Sequence, residues 1–403
     1  MTALAANRPV DSVAMVSEHA SPLAVPGSVD SGGQNVYVGA LAVELASRGI
    51  NVVVYTRRDR TDTPRRVALA PGVEIEHVDA GPPTRLARDE FLPYAGEFAA
   101  NLRHAWERRR PTLVHAHYWM SGLTALEAAH SLQVPVVQTF HALGAQKREY
   151  LGDGDPSPVA RVDIERDIAT NVDAVAATSA EEVEILARCG AHPRRVRIIP
   201  CGVDPRAFAP RRVRARASGM RVLALGRLVE RKGVDDVIRA LTLVPGVSLV
   251  VAGGSGRQDD PDRLRLTDLA CRLGVEHRVE WLGPVPHNNV PALLRSCDVV
   301  LCVPWYEPFG MVAVEAMACG VPVIVSAVGG IRETVLHEET GLHVPPHDPD
   351  RIAAALTMLV SDAELRARLG VAGVDRAAAR YTWHSVADEM LDLYGSVVRS
   401  AGR

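Results

Sequence analysis

The sequence predicts an α/β protein built from two Rossmann-like parallel-sheet domains, and three observations carry that expectation. Short apolar runs alternate with helical patterns along almost the whole chain, the order that yields parallel strands covered by helices. At 403 residues the chain exceeds what one sheet usually organises, since domains average roughly 150 residues. The alternation also restarts. VAMVSEHASPLAVPGSVDSGGQNVYVGALAVEL and, later, RVLALGRLVERKGVDDVIRAL each run from strand through a glycine-bearing turn into a helix.

In the first series, strands are expected at residues 13–16, 52–55, 112–115, 134–138, 174–177 and 196–199, with intervening helices such as 35–48 and 181–188. The second series runs through 221–225, 247–252, 279–282, 299–303 and 321–326. Between them, residues 201–219 contain Pro, Gly and the arginine-rich run 211–216 without a sustained period, and read as a solvated connector. The domains are therefore assigned to 1–203 and 204–382. Two such units facing each other would leave a ligand-sized cleft. Near the C-terminus Val386, Met390, Leu393, Tyr394 and Val397 recur at steps of three and four, one apolar stripe of a helix over 383–398.

Composition narrows the function. Hydrophobic residues make up 47% and charged residues 23%, which is globular usage rather than that of a disordered chain. With 45 basic and 48 acidic residues the net charge is −3, so no broad positive field invites nucleic acid or an anionic membrane. No apolar run approaches the ~18 residues of a spanning helix, and the N-terminus has no secretory pattern; a cytoplasmic protein acting on small molecules is expected. Cys189, Cys201, Cys271, Cys297, Cys302 and Cys319 form no Cys-x-x-Cys pair and are expected to be buried free thiols. Only Lys147 and Lys232 are lysines; every other basic residue is arginine. A compact ammonium does work that a planar guanidinium does not always copy, so both lysines are candidates for function.

The chemistry-bearing residues concentrate where strands end. In CVPWYEPFGMVAVEAMACGVPV, Glu307 follows a strand, Pro308 to Gly310 make a turn, and Glu315 lies in the next helix. The free N–H groups and positive dipole end of that helix suit a diphosphate. GRLVERKG puts Arg227 at the end of the preceding domain-opening strand and Lys232 five residues on, two cations able to grip an oxyanion. In the first domain Gly32 and Gly33 precede a helix, where a backbone lacking Cβ lets a ligand approach. Two further strand ends, VHAHYW and VVQTFHALGAQKR, supply His115, His117, Tyr118, His141, Lys147 and Arg148; ligand-handling groups gather at the carboxyl ends of parallel strands. His115 reads as a core histidine, His141 as a site residue. The Asp-x-Asp matches starting at Asp153, Asp260 and Asp348 sit beside Gly or Pro and read as turns and caps, not metal sites.

Taken together, GSVDSGGQNVYV, HAHYWMSG, TFHALGAQK, IIPCGVD, GRLVERKG and EPFGMVAVEAMACGVPV resemble the retaining glycosyltransferases of family 4, with the two-domain GT-B fold, over nearly the whole chain. Within that family the chain looks most like sucrose-phosphate synthases and the inositol-phosphate N-acetylglucosaminyltransferases of mycothiol synthesis. The resemblance implies that the C-terminal helix crosses back onto the first domain. On the donor side it implies that Arg227 and Lys232 hold the diphosphate of a nucleotide sugar, most simply UDP-linked. Gly33 backs that diphosphate, Glu315 takes the ribose, Glu307 takes hydroxyls of the transferred hexose, Phe309, Gly310, Met311 and Val312 lie along sugar and phosphates, and the loop at Val285 packs on the base. His141 matches the histidine beside the reacting sugar. Arg88, Tyr118, Lys147 and Arg161 match positions that handle a phosphorylated acceptor, and Ala142 stands where the inositol-phosphate branch has threonine. No metal or other cofactor is implied, because two cations and a helix dipole already face the leaving group. A dinucleotide-dependent oxidoreductase fits poorly, since AGGSGR at 252–257 is the nearest approach to Gly-x-Gly-x-x-Gly. Arg88, Lys147 and Arg161 are expected to converge near Tyr118 and His141, which without an anion would cost desolvation and mutual repulsion.

Overall fold

The structure, a computed structural model, describes residues 10–24, 32–155, 157–211 and 219–401. It divides into two compact units: one comprises the chain up to Ala24, Gly33–Pro200 and Trp383–Arg403, and the other contains Cys201–Thr382.

The first unit is an eight-stranded sheet: β1 (Ser12–Val16), β2 (Asn51–Arg57), β3 (Arg66–Ala70), β4 (Val73–Val78), β5 (Leu113–His117), β6 (Val136–Thr139), β7 (Ala174–Ala177) and β8 (Val196–Ile198). Their spatial order is β3-β4-β2-β1-β5-β6-β7-β8. All neighbours are parallel except β3 and β4. β5 is buried at every position, as expected of a central strand with both faces covered by helices. The β3–β4 hairpin is absent from the sequence-based expectation. RVALAPGVEIEHV breaks its apolar residues with Pro71 and Gly72 and with Glu74, Glu76 and His77, so this antiparallel pair offers no continuous apolar run of strand length at β4.

The second unit carries β9 (Met220–Leu225), β10 (Val247–Ala252), β11 (Val279–Gly283), β12 (Val299–Cys302), β13 (Val323–Ser326) and β14 (Leu342–Val344), ordered β11-β10-β9-β12-β13-β14 and wholly parallel. The three-residue β14 is too short to announce itself. Its core is aliphatic, from Val222, Ile238, Leu249, Leu266, Leu301 and Leu356; that of the first unit is built on Phe98, Trp106, Trp119 and Phe140.

Each sheet has a topological switch point, where chain order leaves a strand in opposite directions: between β1 and β5 in the first unit and between β9 and β12 in the second. Crossovers on the two sides diverge there, opening a crevice at the carboxyl ends of the strands.

The last helix, Trp383–Ala401, belongs to the first unit. Its buried Val386, Met390, Leu393, Tyr394 and Val397 form the anticipated stripe, and Arg48 ties its start by ion-pairing Asp388 at 2.8 Å and donating to the His384 carbonyl at 2.8 Å. One expectation about the thiols is corrected. All six cysteines are free, but Cys189 and Cys302 are only partly buried and Cys271 is exposed, the last because it lies on the outward side of the helix Pro261–Arg272, whose buried residues are Leu266, Leu269 and Ala270. Residues 212–218 of the connector lie outside the described residues.

Candidate active site

In the second unit the switch point gathers the residues expected to bind a donor. The loop after β9 carries Arg227 and Lys232; the loop after β12 carries Glu307. Glycine locks both loops. Gly233, at φ +72°, sits where a Cβ would lie 2.0 Å from the Val303 carbonyl oxygen, and Gly329, at φ +55°, where a Cβ would lie 2.1 Å from that of Glu307. No side chain fits at either point, so the two loops and the turn after β13 close on one another. Trp305 N–H donates to the Arg231 carbonyl at 2.8 Å, a further tie across the switch point.

Lys232 Nζ forms an ion pair with Glu307 Oε2. Burial pushes the Glu307 carboxyl up, but Lys232, Arg231 and Arg227 outweigh it and hold the group below the usual carboxylate range. Glu307 is thus an anion kept ionised by three cations. The helix Met311–Ala318 starts beside it, capped by Gly310 at φ +89°. Its first N–H groups, those of Met311 and Val312, have no preceding turn to bond to, and the Phe309 carbonyl is held by Thr334 Oγ1 at 2.9 Å. One turn into the helix, buried Glu315 accepts from His287 Nε2 at 2.8 Å. That hydrogen bond raises the His287 pKa above its ordinary value against the effect of burial. His287 was not anticipated; it lies two residues beyond Val285, and only the packing of the β11 loop against this helix reveals it.

In the first unit the switch point lies between β1 and β5. Glu18, just past β1, is almost fully buried and meets its neighbour His19 Nδ1 at 2.5 Å. Ser121 Oγ donates to the other Glu18 oxygen. Burial raises the Glu18 carboxyl, and the contacts with His19 and Ser121 bring it below its ordinary value. No local pattern marks this group, because Ser121 lies 103 residues from Glu18 in the chain. The His19 ring meets the Tyr118 ring edge-on at 5.0 Å between centroids.

Tyr118 and His141 follow the ends of adjacent strands β5 and β6, and both adopt left-handed backbone, at φ +79° and +59°. Such conformations are sparsely populated for non-glycine residues and persist where surroundings impose them. His117 Nδ1 lies 3.1 Å from His141 Nε2, and Tyr37 packs on His141 at 4.9 Å. His115, read from sequence as a core histidine, is completely buried. It is bonded by Nδ1 to the Tyr394 hydroxyl at 2.6 Å and by Nε2 to Thr139 Oγ1 at 2.9 Å. Burial pushes both His115 and His141 down to about 3 and His117 well below its ordinary value. All three rings are neutral at pH 7.

Lys147 and Arg161 do approach one another: Lys147 Nζ and Arg161 Nη1 both donate to Ser157 Oγ, at 3.0 and 3.1 Å. Arg161 lies over the Tyr118 ring at 5.0 Å and donates to the Ala142 carbonyl at 2.6 Å. Each cation also has a carboxylate, Asp155 at 2.5 Å for Lys147 and Glu165 at 2.7 Å for Arg161. Their convergence therefore needs no bound anion, which corrects the electrostatic argument drawn from sequence. The Arg88 side chain lies outside what the structure describes; its backbone starts a short 3-10 helix, Arg88–Tyr94. Gly33 is exposed at the first turn of the helix Gly33–Ser47, and residues 25–31 of the motif before it lie outside the described residues. Among the described residues no group of three or more His, Cys, Asp or Glu side chains is arranged to hold a metal ion, and no helix is long and apolar enough to cross a membrane.

Comparison with known proteins agrees with this architecture. Residues 31–207 match the family model for glycosyltransferase family 4, and residues 208–376 the model for glycosyl transferases group 1. A D-inositol 3-phosphate glycosyltransferase from Acidothermus cellulolyticus is 39% identical over 95% of this chain and 89% of its own length. A protein with the same name from Corynebacterium glutamicum is 34% identical, covering 96% and 97%. Among solved structures, sucrose-phosphate synthase from Thermosynechococcus elongatus superimposes with a TM-score of 0.91 at 31% identity, over 97% of this chain and all of that one. With two Rossmann-like sheets, ionisable groups at both switch points and likeness of this extent, the chain belongs to the family 4 glycosyltransferases of GT-B fold.

Proposed function

We propose that this glycosyltransferase moves a hexosyl group from a UDP-sugar to a hydroxyl of a small phosphorylated polyol or sugar, with retention of anomeric configuration and without a metal ion. The observation that carries the donor half is the Lys232–Glu307 pair beside the helix start at Met311. A cation, an anion and open N–H groups at one switch point match a diphosphate joined to a hydroxyl-rich sugar. Arg227 and Lys232 take the diphosphate, Glu307 accepts from sugar hydroxyls, and Glu315, oriented by His287, accepts from the ribose. The sugar–diphosphate C–O bond breaks as the acceptor oxygen bonds to the same carbon on the same face. The acceptor proton passes to the departing diphosphate oxygen, and the developing negative charge is met by Arg227, Lys232 and the helix N-terminus.

The acceptor half rests on the names of the relatives, which act on D-inositol 3-phosphate or make sucrose phosphate, and on Lys147 and Arg161 meeting at Ser157 beside Tyr118. A phosphate entering there displaces carboxylate contacts rather than filling an uncompensated positive pocket. A thermal-shift panel tests the donor: UDP should raise the melting temperature more than GDP, ADP or NAD, since a ligand at a hundred times its Kd adds about 2.7 kcal/mol. Equal or greater stabilisation by GDP or ADP overturns the UDP assignment, and stabilisation by NAD alone overturns the donor site.

A further inference from the structure

His117 is wholly buried at the last position of β5, with its ring stacked on that of His141 at 5.3 Å between centroids. Because both rings are neutral, their 3.1 Å nitrogen contact needs one N–H and one lone pair. There are two arrangements. Either His117 Nδ1–H donates to His141 Nε2, or His141 Nε2–H donates to His117 Nδ1. They differ in what they leave at the other end of His117, whose Nε2 is buried and has no hydrogen-bond partner among the described residues. The second arrangement strands an N–H there, and the first only a ring lone pair. Orphaned buried N–H groups are the rarer of the two in folded proteins.

We infer that His117 is a positioning residue that fixes the tautomer of His141, donating from Nδ1 so that His141 accepts at Nε2 and carries its proton on Nδ1. The neighbouring histidine cannot take over this task, since both nitrogens of His115 are bonded to Tyr394 and Thr139. The left-handed backbone at His141 holds the ring against His117, and Tyr37 packs edge-on against both rings, at 4.9 and 5.7 Å between centroids. The consequence, which rests on the proposed place of His141 beside the reacting sugar, is that His141 acts there as a hydrogen-bond donor to an oxygen. It is not a base that removes the acceptor proton, in keeping with a neutral ring whose basicity burial has suppressed.

The tautomer can be read directly. In full-length protein labelled with 15N-histidine, long-range 1H–15N correlations should show a protonated Nδ1 and a bare Nε2 for His141, assigned through loss of its signals in His141→Ala. Asparagine places its amide N–H near the position of imidazole Nδ1, whereas leucine offers no donor. His117→Asn should therefore keep the His141 pattern and most of kcat. His117→Leu should give mixed tautomers and a roughly 10- to 100-fold lower kcat at nearly unchanged donor KM, the usual cost of losing a supporting hydrogen bond. A wild-type proton on Nε2 overturns the assignment whatever the kinetics, as does a His117→Leu variant that retains the Nδ1–H pattern. If the pattern is as inferred but His141→Ala turns over normally, the tautomer assignment stands and the catalytic reading of His141 fails.

Discussion

Replacing Lys232 by methionine separates what the Lys232–Glu307 pair does for folding from what it does for chemistry. The two side chains are 26% and 18% exposed, between the exposed pairs worth about 0–1 kcal/mol and the buried ones whose rupture costs 3–5 kcal/mol. A loss of about 1–3 kcal/mol is expected. The cause is identifiable: Lys232 is the strongest influence holding the Glu307 carboxyl down against burial, so without it Glu307 shifts toward its protonated form. The double variant Lys232→Met with Glu307→Gln removes both charges and should recover most of that stability. Turnover behaves differently, because a preorganised cation facing the leaving diphosphate is worth about a 100- to 1000-fold rate factor. Denaturant melts and transfer assays on the wild type, both single variants and the double variant give the whole cycle. Stability should be restored in the double variant while transfer stays depressed. Transfer by Lys232→Met within threefold of wild type, or recovery of transfer with stability in the double variant, refutes the assigned role.

The buried histidines make the first unit sensitive to acid. His115 and His141 have native values of about 3 against roughly 6.5 unfolded. Their contribution is complete above pH 6.5 and lost as pH falls, reaching about 2 kcal/mol each by pH 5. Glu182, raised to about 7 by burial, works in the opposite direction over the same interval, so the test is a difference: His115→Gln should lose less stability than wild type between pH 7.5 and pH 5, by about 2 kcal/mol. Parallel stability curves contradict it. Tyr394→Phe removes the 2.6 Å partner of His115 Nδ1 and should cost about 1–2 kcal/mol, with faster hydrogen exchange across Trp383–Ala401; unchanged exchange there argues against the anchor. Gly329→Ala, whose Cβ would press on the Glu307 carbonyl, should fold but lose at least tenfold in kcat/KM for the donor, and unaltered kinetics would show that the Glu307 loop is not held by this contact. EDTA should leave the transfer rate unchanged, and loss of activity restored by manganese would assign a metal to the reaction.

Most of both sheets is legible in the sequence because their central parallel strands are buried and read as continuous apolar runs: 13–16 and 174–177 match β1 and β7 to within a residue. The β3–β4 hairpin is not: β3 is a part-exposed edge, and the nearly wholly buried β4 interleaves Glu74, Glu76 and His77 with its apolar residues, Glu76 being paired with Arg66 at 3.0 Å. At the site, the sequence marks Glu307, Tyr118 and His141 by their places after strands and Lys232 by its being one of two lysines, and the structure places them at or beside the switch points of the two sheets. Their pairing is not marked. Lys232 meets Glu307 across 75 residues and His287 meets Glu315 across 28, contacts created by strand order at a switch point and by no local pattern. The carboxylate partners of Lys147 and Arg161 lie eight and four residues away, close enough to be noticed. Spacing alone does not decide between those carboxylates and a bound anion, because which side chains meet depends on how the intervening loop folds.

The proposal of transfer to a phosphorylated acceptor is tested most directly by UDP release from UDP-hexoses in the presence of D-inositol 3-phosphate, hexose phosphates and their unphosphorylated counterparts, with the anomeric configuration of the product read by NMR. UDP release should depend on a phosphorylated acceptor and give a product with the configuration of the donor. Equal rates with unphosphorylated acceptors, or an inverted product, would contradict the proposal.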